Sequence, residues 1–310
     1  MRLSRQSSNL FPILLLTSLL ALSMSGVRAD PSVKTGQAMA SPPSGTYTRI
    51  VSLAPSLTET LFALGLGDRV VGVTDFCSYP PEVASKTRIG GFIDPNLELV
   101  VGLQPDLVVL LPDHREIRER LEGLGVRCLA VPQYTVNDIL ASLIVIGTAC
   151  GVPERAQEVR QAIAHDLDAI RERVQHLPPT RAILAVGREL TGTRLDQVCL
   201  AGPRGYLNDL LERAGGTNAV ASSPLTYPTV TREGLAVLAP DVVIDLIPDP
   251  ARQSAATATI RLAWLQVTGL PAARTGRVHV LESDFAAIPG PRVAEVVRLL
   301  ARLLHPEAGW

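Results

Sequence analysis

The sequence predicts an α/β fold of two similar lobes, with mainly parallel sheets joined by one long helix, and three observations carry that expectation. First, a segment is stated twice: NLELVVGLQPDLVVLLPD at 96–113 and TREGLAVLAPDVVIDLIPD at 231–249. Glu98 falls on Glu233, Leu103 on Leu238, Pro105 on Pro240, Asp106 on Asp241 and Val108 on Val243. Second, short apolar runs alternate with amphipathic stretches, the mark of βα units and a mainly parallel sheet. Third, Ala156, Val159, Ile163, Leu167, Ile170, Val174 and Leu177 recur every three or four residues between Pro153 and Pro178. That spacing predicts a connecting helix of about 24 residues, about 36 Å long.

The elements follow in order. Arg2 and Arg5, an apolar run from Leu10 to Leu22 and VRA ending at Ala29 have the order of a secretory leader, residues 1–29. The apolar run is short of the ~20 residues that span a bilayer. No cysteine follows it, which argues against a lipid anchor, so an exported periplasmic chain is expected. Residues 30–47 are small, polar and proline-bearing and predict a flexible lead-in. An N-terminal α/β lobe is expected over 48–152, the connecting helix over 153–178 and a C-terminal α/β lobe over 179–310. RIVSL (49–53) predicts a strand. SLTE (56–59) predicts a helix start, with Ser56 as cap and Glu59 closing a capping box. VVGV (70–73), DLVVLL (106–111) and VRCLAV (126–131) predict further strands, with helices at HREIRERLEGLG and 137–150. RAILAVG (181–187) restarts the pattern, and GYLNDLLERAGGTNAV (205–220) echoes TLFALGLGDRVVGV (60–73). VHVL (278–281) predicts a last strand and VAEVVRLLARLL (293–304) a C-terminal helix.

Charge excludes some partners. The net charge is −1, and removing the leader's three arginines leaves 26 basic against 30 acidic side chains, a net of −4. That is no pattern for nucleic acid or a membrane surface. Cys77, Cys128, Cys150 and Cys199 sit in an oxidising compartment; one structural disulfide and none are equally compatible with their spacing. No Cys/His metal spacing, nucleophile elbow, zincin or phosphate-loop motif occurs, which argues against a secreted hydrolase.

Two facing lobes would leave a cleft, the usual place for a ligand. Phe76 and Tyr79 (DFCSYPPE), Phe92 (GGFIDPN), Tyr227 and Phe285 all fall in expected loops, with Tyr134 a further candidate. Loop rings suit a flat, partly apolar ligand, although each could equally pack over its own lobe edge. His114 is the one histidine placed to face a cleft, and it reads equally as a lone surface residue. Glu98 and Glu233 each follow a capping candidate, Asn96 or Thr231. Either acid alone is explained by the positive end of a helix dipole, worth about 0.3–1 kcal/mol.

RIVSLAPSLTETLFALG, VGVTDFCSYPPE, NLELVVGLQPDLVV and YPTVTREGLAVLAPDVVI, in this order, resemble the periplasmic substrate-binding proteins of ABC importers for cobalamin (vitamin B12), iron–siderophores and haem, and most of all the cobalamin branch. The resemblance covers nearly all of 48–304. It implies two Rossmann-like lobes on one long helix (the class III arrangement), little domain closure, no catalysis and no resident cofactor. It implies a corrinoid held by Ala54 and Pro55, Phe76, Phe92, Tyr227, and Asp284 with Phe285, several of them where the family has larger rings. Leu111–Pro112 stands where the family has a tryptophan. Gly187, Arg188 and Glu189 are expected as a charged turn that bonds ligand amides or carboxylates. Haem as cargo would call for an axial ligand among Tyr79, Tyr134, Tyr227 and His114. The resemblance also implies that Glu98 and Glu233, one per lobe, pair with arginines on a two-subunit ABC permease, the receptor itself being a monomer.

Overall fold

The computed structural model describes residues 47–247 and 256–310; the expected leader and all but the last residue of the lead-in lie outside the described residues. Tyr47, the last of the lead-in, is buried and its hydroxyl accepts from Arg127 at 3.0 Å.

The chain is a two-lobe α/β protein with one parallel sheet and one mixed sheet that has a parallel core. In the first half, β1 (Ile50–Ser52), β2 (Val70–Val73), β3 (Thr87–Arg88), β4 (Leu107–Leu110) and β5 (Cys128–Ala130) form a sheet in the order β3-β2-β1-β4-β5, every pair parallel. This is the strand order of a nucleotide-binding half, with connections crossing over on helices. Those helices are α1 (Pro55–Ala63), α2 (Leu97–Gly102), α3 (Arg115–Gly123) and α4 (Val136–Ala149). β1 and β4 are buried throughout, as strands covered on both faces must be.

The connecting helix α5 (Pro153–Val174) is 22 residues long, with Pro153 at its start and Pro178–Pro179 shortly past its end; at 1.5 Å per residue it is about 33 Å. Ala156, Ile163, Leu167, Ile170 and Val174 form its buried stripe.

The second half repeats the plan. β6 (Thr180–Thr191), β8 (Gly216–Asn218), β10 (Val242–Ile247) and β11 (Val278–Glu282) lie in the order β8-β6-β10-β11, which matches β2-β1-β4-β5. α6 (Tyr206–Arg213) and α7 (Arg232–Leu238) take the places of α1 and α2. The duplication thus extends from residues to topology. One addition was not legible: β6 runs on past its parallel partner and pairs antiparallel with β7 (Arg194–Leu200), which pairs in turn with β9 (Thr229–Thr231). Gly187, Arg188 and Glu189 are therefore interior to a strand and not a turn. Thr191 faces Arg194 across Gly192 and Thr193, and Gly192 adopts φ 64°. A two-residue Gly-bearing loop between strands is a hairpin signal. Helices α8 (Thr257–Leu265) and α9 (Pro271–Thr275) lie between β10 and β11.

Contacts divide the chain into two compact units. One holds the first sheet through Pro179, together with Gly205–Gly216 and Ile288–Trp310. The other holds Thr180–Arg204 and Thr217–Ala287. The last helix, α10 (Val293–Leu304), belongs to the first unit although it ends the chain. Its buried Val293, Val296, Val297, Leu300 and Leu304 pack with α5 and α6, each such side chain worth about 1.5–3 kcal/mol over exposure. The second unit has its own core around Trp264, Leu200, Val243 and Ile260.

Candidate functional site

In open parallel sheets, ligands meet the loops that leave the carboxyl ends of the strands. The first unit places its candidate residues there, one strand after another. Ala54 and Pro55 follow β1; Ala54 is buried and Pro55 is the first residue of α1. Proline suits a first helical position because it needs no N–H there, so the helix starts ahead of the expected cap. Ser56 and Glu59 are consequently inside α1 and buried, and the expected capping box does not form. Glu59 instead accepts two bonds from Arg292, Nε at 3.0 Å and Nη2 at 2.6 Å.

Phe76 and Tyr79 follow β2. Their loop is tied from beneath: Arg88 donates to the carbonyls of Thr74 (2.9 Å) and Cys77 (2.6 Å), and the Cys77 thiol lies 3.2 Å from both Thr58 and Thr74 hydroxyls. Burial pushes this thiol above its ordinary range. All four cysteines are free, so the open question of a disulfide is answered by none. Phe76 is half-buried, while Tyr79 is 42% exposed, with the Arg292 guanidinium 4.0 Å from its ring centre.

Phe92 follows β3 in a tight loop closed by a Gly90–Pro95 bridge. Gly90 adopts φ 94°, a backbone conformation that favours glycine. The Phe92 ring meets His114 edge-on, centroids 4.6 Å apart. His114, after β4, is 5% exposed, which corrects its reading as a surface or cleft-facing residue. Its Nδ1 accepts from the Leu111 N–H at 3.4 Å, which places the ring proton on Nε2, and burial holds the imidazole below its usual value. After β5, Gln133 is buried and donates to Thr60 and Ser142, while Tyr134 is exposed and donates to Asp113 at 2.9 Å. Desolvation, then the Asp113 bond, pushes the Tyr134 phenol well above its ordinary value.

In the second unit the candidates lie in the extension of β6 and in the loops before β9 and after β11. Arg188 lies in the part of β6 beyond the β10 pairing; its side chain is 6% exposed and donates to Asp245 and to the Leu246 carbonyl at 2.9 Å. Asp245, fully buried, also accepts from Trp264 Nε1 at 2.7 Å. Asp284 and Phe285 follow β11, and Tyr227 precedes β9, partly buried, its phenol raised by desolvation. Gly187 pairs with Cys199 of β7.

Glu98 and Glu233 are exposed in the first turns of α2 and α7. Asn96 caps α2 by accepting from Leu99 N–H at 3.1 Å, and Thr231 caps α7 by accepting from Gly234 N–H at 3.4 Å. The N–H of Glu233 itself and the Thr231 hydroxyl hold the Glu233 carboxyl below its ordinary range. Arg194, Asp196, Gln197, Thr231, Arg232 and Glu233 line a cavity of about 520 Å³ that sequence reading did not foresee. Among the described residues, no group of three or more His, Cys, Asp or Glu could hold a metal, and no helix is long and apolar enough to cross a membrane.

A duplicated α/β plan with side chains gathered at strand ends, and rings prominent among them, defines a ligand-receptor class of fold. The chain belongs to the periplasmic binding protein family, whose model matches residues 50–285. It is 28% identical over 258 residues to a vitamin B12-binding protein of Vibrio cholerae, covering 83% of this chain and 88% of that one. It is 28% identical over 264 residues to an uncharacterized ABC transporter substrate-binding lipoprotein, YvrC, of Bacillus subtilis, covering 84% and 80%. Among solved structures it is similar to the periplasmic heme-binding protein BhuT in complex with two hemes, at TM-score 0.72 and 27% identity, covering 86% of this chain and 100% of that one.

Proposed function

We propose that the protein captures a cobalamin-like corrinoid in the periplasm and hands it to an ABC permease, a transport role and not catalysis. The observation that carries this reading is the set of rings on the strand-end loops of the first unit, Phe76, Tyr79 and Phe92, with Tyr227 and Phe285 on loops of the second. Rings on loops held by Arg88 and by a glycine-bridged turn offer a flat apolar ligand contact area at low entropic cost. Pro55, Gly187 and Asp284 complete the proposed contacts, whereas Ala54 is buried and Arg188 is buried against Asp245. The B12-binding relative from V. cholerae supports corrinoid over other cargoes.

A second reading, haem or an iron–siderophore, is favoured by the likeness to a structure that holds two hemes. For haem the exposed Tyr79 is the best-placed axial candidate, since His114 is buried and Tyr134 is bonded to Asp113. Glu98 and Glu233 are proposed as the permease contacts, one on each copy of the repeat. The chain is proposed to act as a monomer.

The visible spectrum of protein purified from its own periplasm tests the cargo. Corrin bands are expected; a haem Soret band in their place would overturn the corrinoid reading.

A further inference from the structure

Tyr79 is an exposed ring whose underside is occupied by a buried charge, and this combination needs a reason. Arg292 and Glu59 are 233 positions apart, yet their side chains are only 14% and 4% exposed and meet through two parallel bonds. Withdrawing two opposite charges from water is costly, and a buried pair is weak evidence of a stability gain. What the pair does provide is direction. A fork-to-fork arginine–carboxylate contact fixes the plane of the guanidinium. The guanidinium carbon lies over the Tyr79 ring, 4.0 Å from its centre. Glu59 is itself held within α1, and Gly290 stands against it, where an added Cβ would fall 3.2 Å from Oε2. Arg292 is thus fixed on its edge by Glu59 and covered on one face by Tyr79.

The consequence is a ring with one face covered and 42% of its surface still open. A loop aromatic that is already fixed loses little freedom when a ligand stacks on it. The cation behind the ring also sets a preference. It draws π-density toward itself, so the open face attracts a second cation poorly and suits a flat partner that is electron-rich, neutral or anionic.

We propose that Glu59 and Arg292 are positioning residues that fix Tyr79 as a stacking platform for a flat, electron-rich or anionic ring of the cargo. This rests on the reading of the strand-end loops as the ligand-binding surface.

The test measures dissociation constants for cyanocobalamin and for haem with the full exported chain. The variants are Tyr79→Phe, Tyr79→Ala, Arg292→Lys and the double Tyr79→Ala/Arg292→Lys. Lysine keeps the charge beside Glu59 but loses the planar brace, and thermal melting confirms that each variant is folded. For whichever probe the wild type binds, Tyr79→Ala is expected to bind about tenfold more weakly, and with cyanocobalamin Tyr79→Phe is expected to lose clearly less than Tyr79→Ala. Arg292→Lys is expected to weaken binding about threefold or more when Tyr79 is present, and not at all when it is absent. Three results would overturn the positioning role while leaving the ligand surface intact: no effect of Arg292→Lys, an equal effect with and without Tyr79, or, with cyanocobalamin, a loss for Tyr79→Phe as large as for Tyr79→Ala. If Tyr79→Ala binds as wild type, or neither probe binds the wild type, the surface assignment fails and the platform with it.

Discussion

Gln104 and Ala239 adopt the same left-handed backbone, φ 49° and 44°, at the same step of the two repeat copies. Each ends its helix one residue before the shared Pro–Asp pair. The match continues outward. Arg49, just before β1, donates to the carbonyls of Leu103 (2.6 and 3.1 Å) and Gln104 (3.2 Å). Arg181, in the corresponding place in β6, donates to the Leu238 carbonyl at 3.1 and 3.2 Å. Asp106 N–H donates to the Arg49 carbonyl and Asp241 N–H to that of Arg181. A helix end exposes carbonyls without partners, and in both copies an arginine from the neighbouring strand supplies them.

The left-handed region is strained for any residue with a Cβ. Gln104→Gly and Ala239→Gly are therefore expected to raise stability by about 0.5–1 kcal/mol each in urea melts. A fall in the midpoint of either variant would mean that its own site is not strained.

The same repeat carries the proposed docking acids. Glu98→Arg with Glu233→Arg is expected to leave ligand affinity and melting nearly unchanged, because both side chains are exposed, while abolishing uptake through the cognate permease. Normal uptake by the double variant, or loss of ligand binding, would remove these residues from docking.

His114 makes stability depend on pH. Burial keeps its folded value below the unfolded 6.5, and the adjacent Asp113 only partly offsets this. Between the two values the unfolded chain holds a proton that the folded chain does not. Its contribution is thus complete above about pH 6.5, falls as pH drops, and levels once the folded imidazole is also charged. Urea melts of the wild type and His114→Gln from pH 7.5 to 5 should diverge in slope below pH 6.5. Parallel slopes would assign the acid sensitivity elsewhere, for instance to His279, which burial also lowers.

Arg188→Leu would leave the carboxylate of Asp245 buried without its cation. The expected loss is about 3–5 kcal/mol in denaturant, since uncompensated buried charge is the costly case. A loss below about 1 kcal/mol would show that Asp245 is relieved by protonation or by other partners.

What could be read from the sequence follows the range of the interaction. The repeat was legible because Asn96, Thr231, Pro105 and Pro240 act on their own neighbours. The connecting helix was legible because one apolar stripe runs its whole length. Glu59 was misread because its local pattern fits a capping box, and its actual partner is 233 residues away. Arg188 was misread for a similar reason: a charged residue after an apolar run resembles a turn, until β7 is found to prolong the strand and Asp245 to bury the charge. The strand-end position of the rings could be inferred from loop placement. That Tyr79 lies on Arg292 and Phe92 on His114 could not, because neither contact leaves a local trace.

The central claim is that this chain binds a corrinoid. Calorimetric titration of the exported chain with cyanocobalamin, haem and a ferric siderophore in parallel tests it most directly. The account predicts saturable heat with cyanocobalamin at one ligand per chain. Saturable heat with haem or the ferric siderophore, and none with cyanocobalamin, would contradict it.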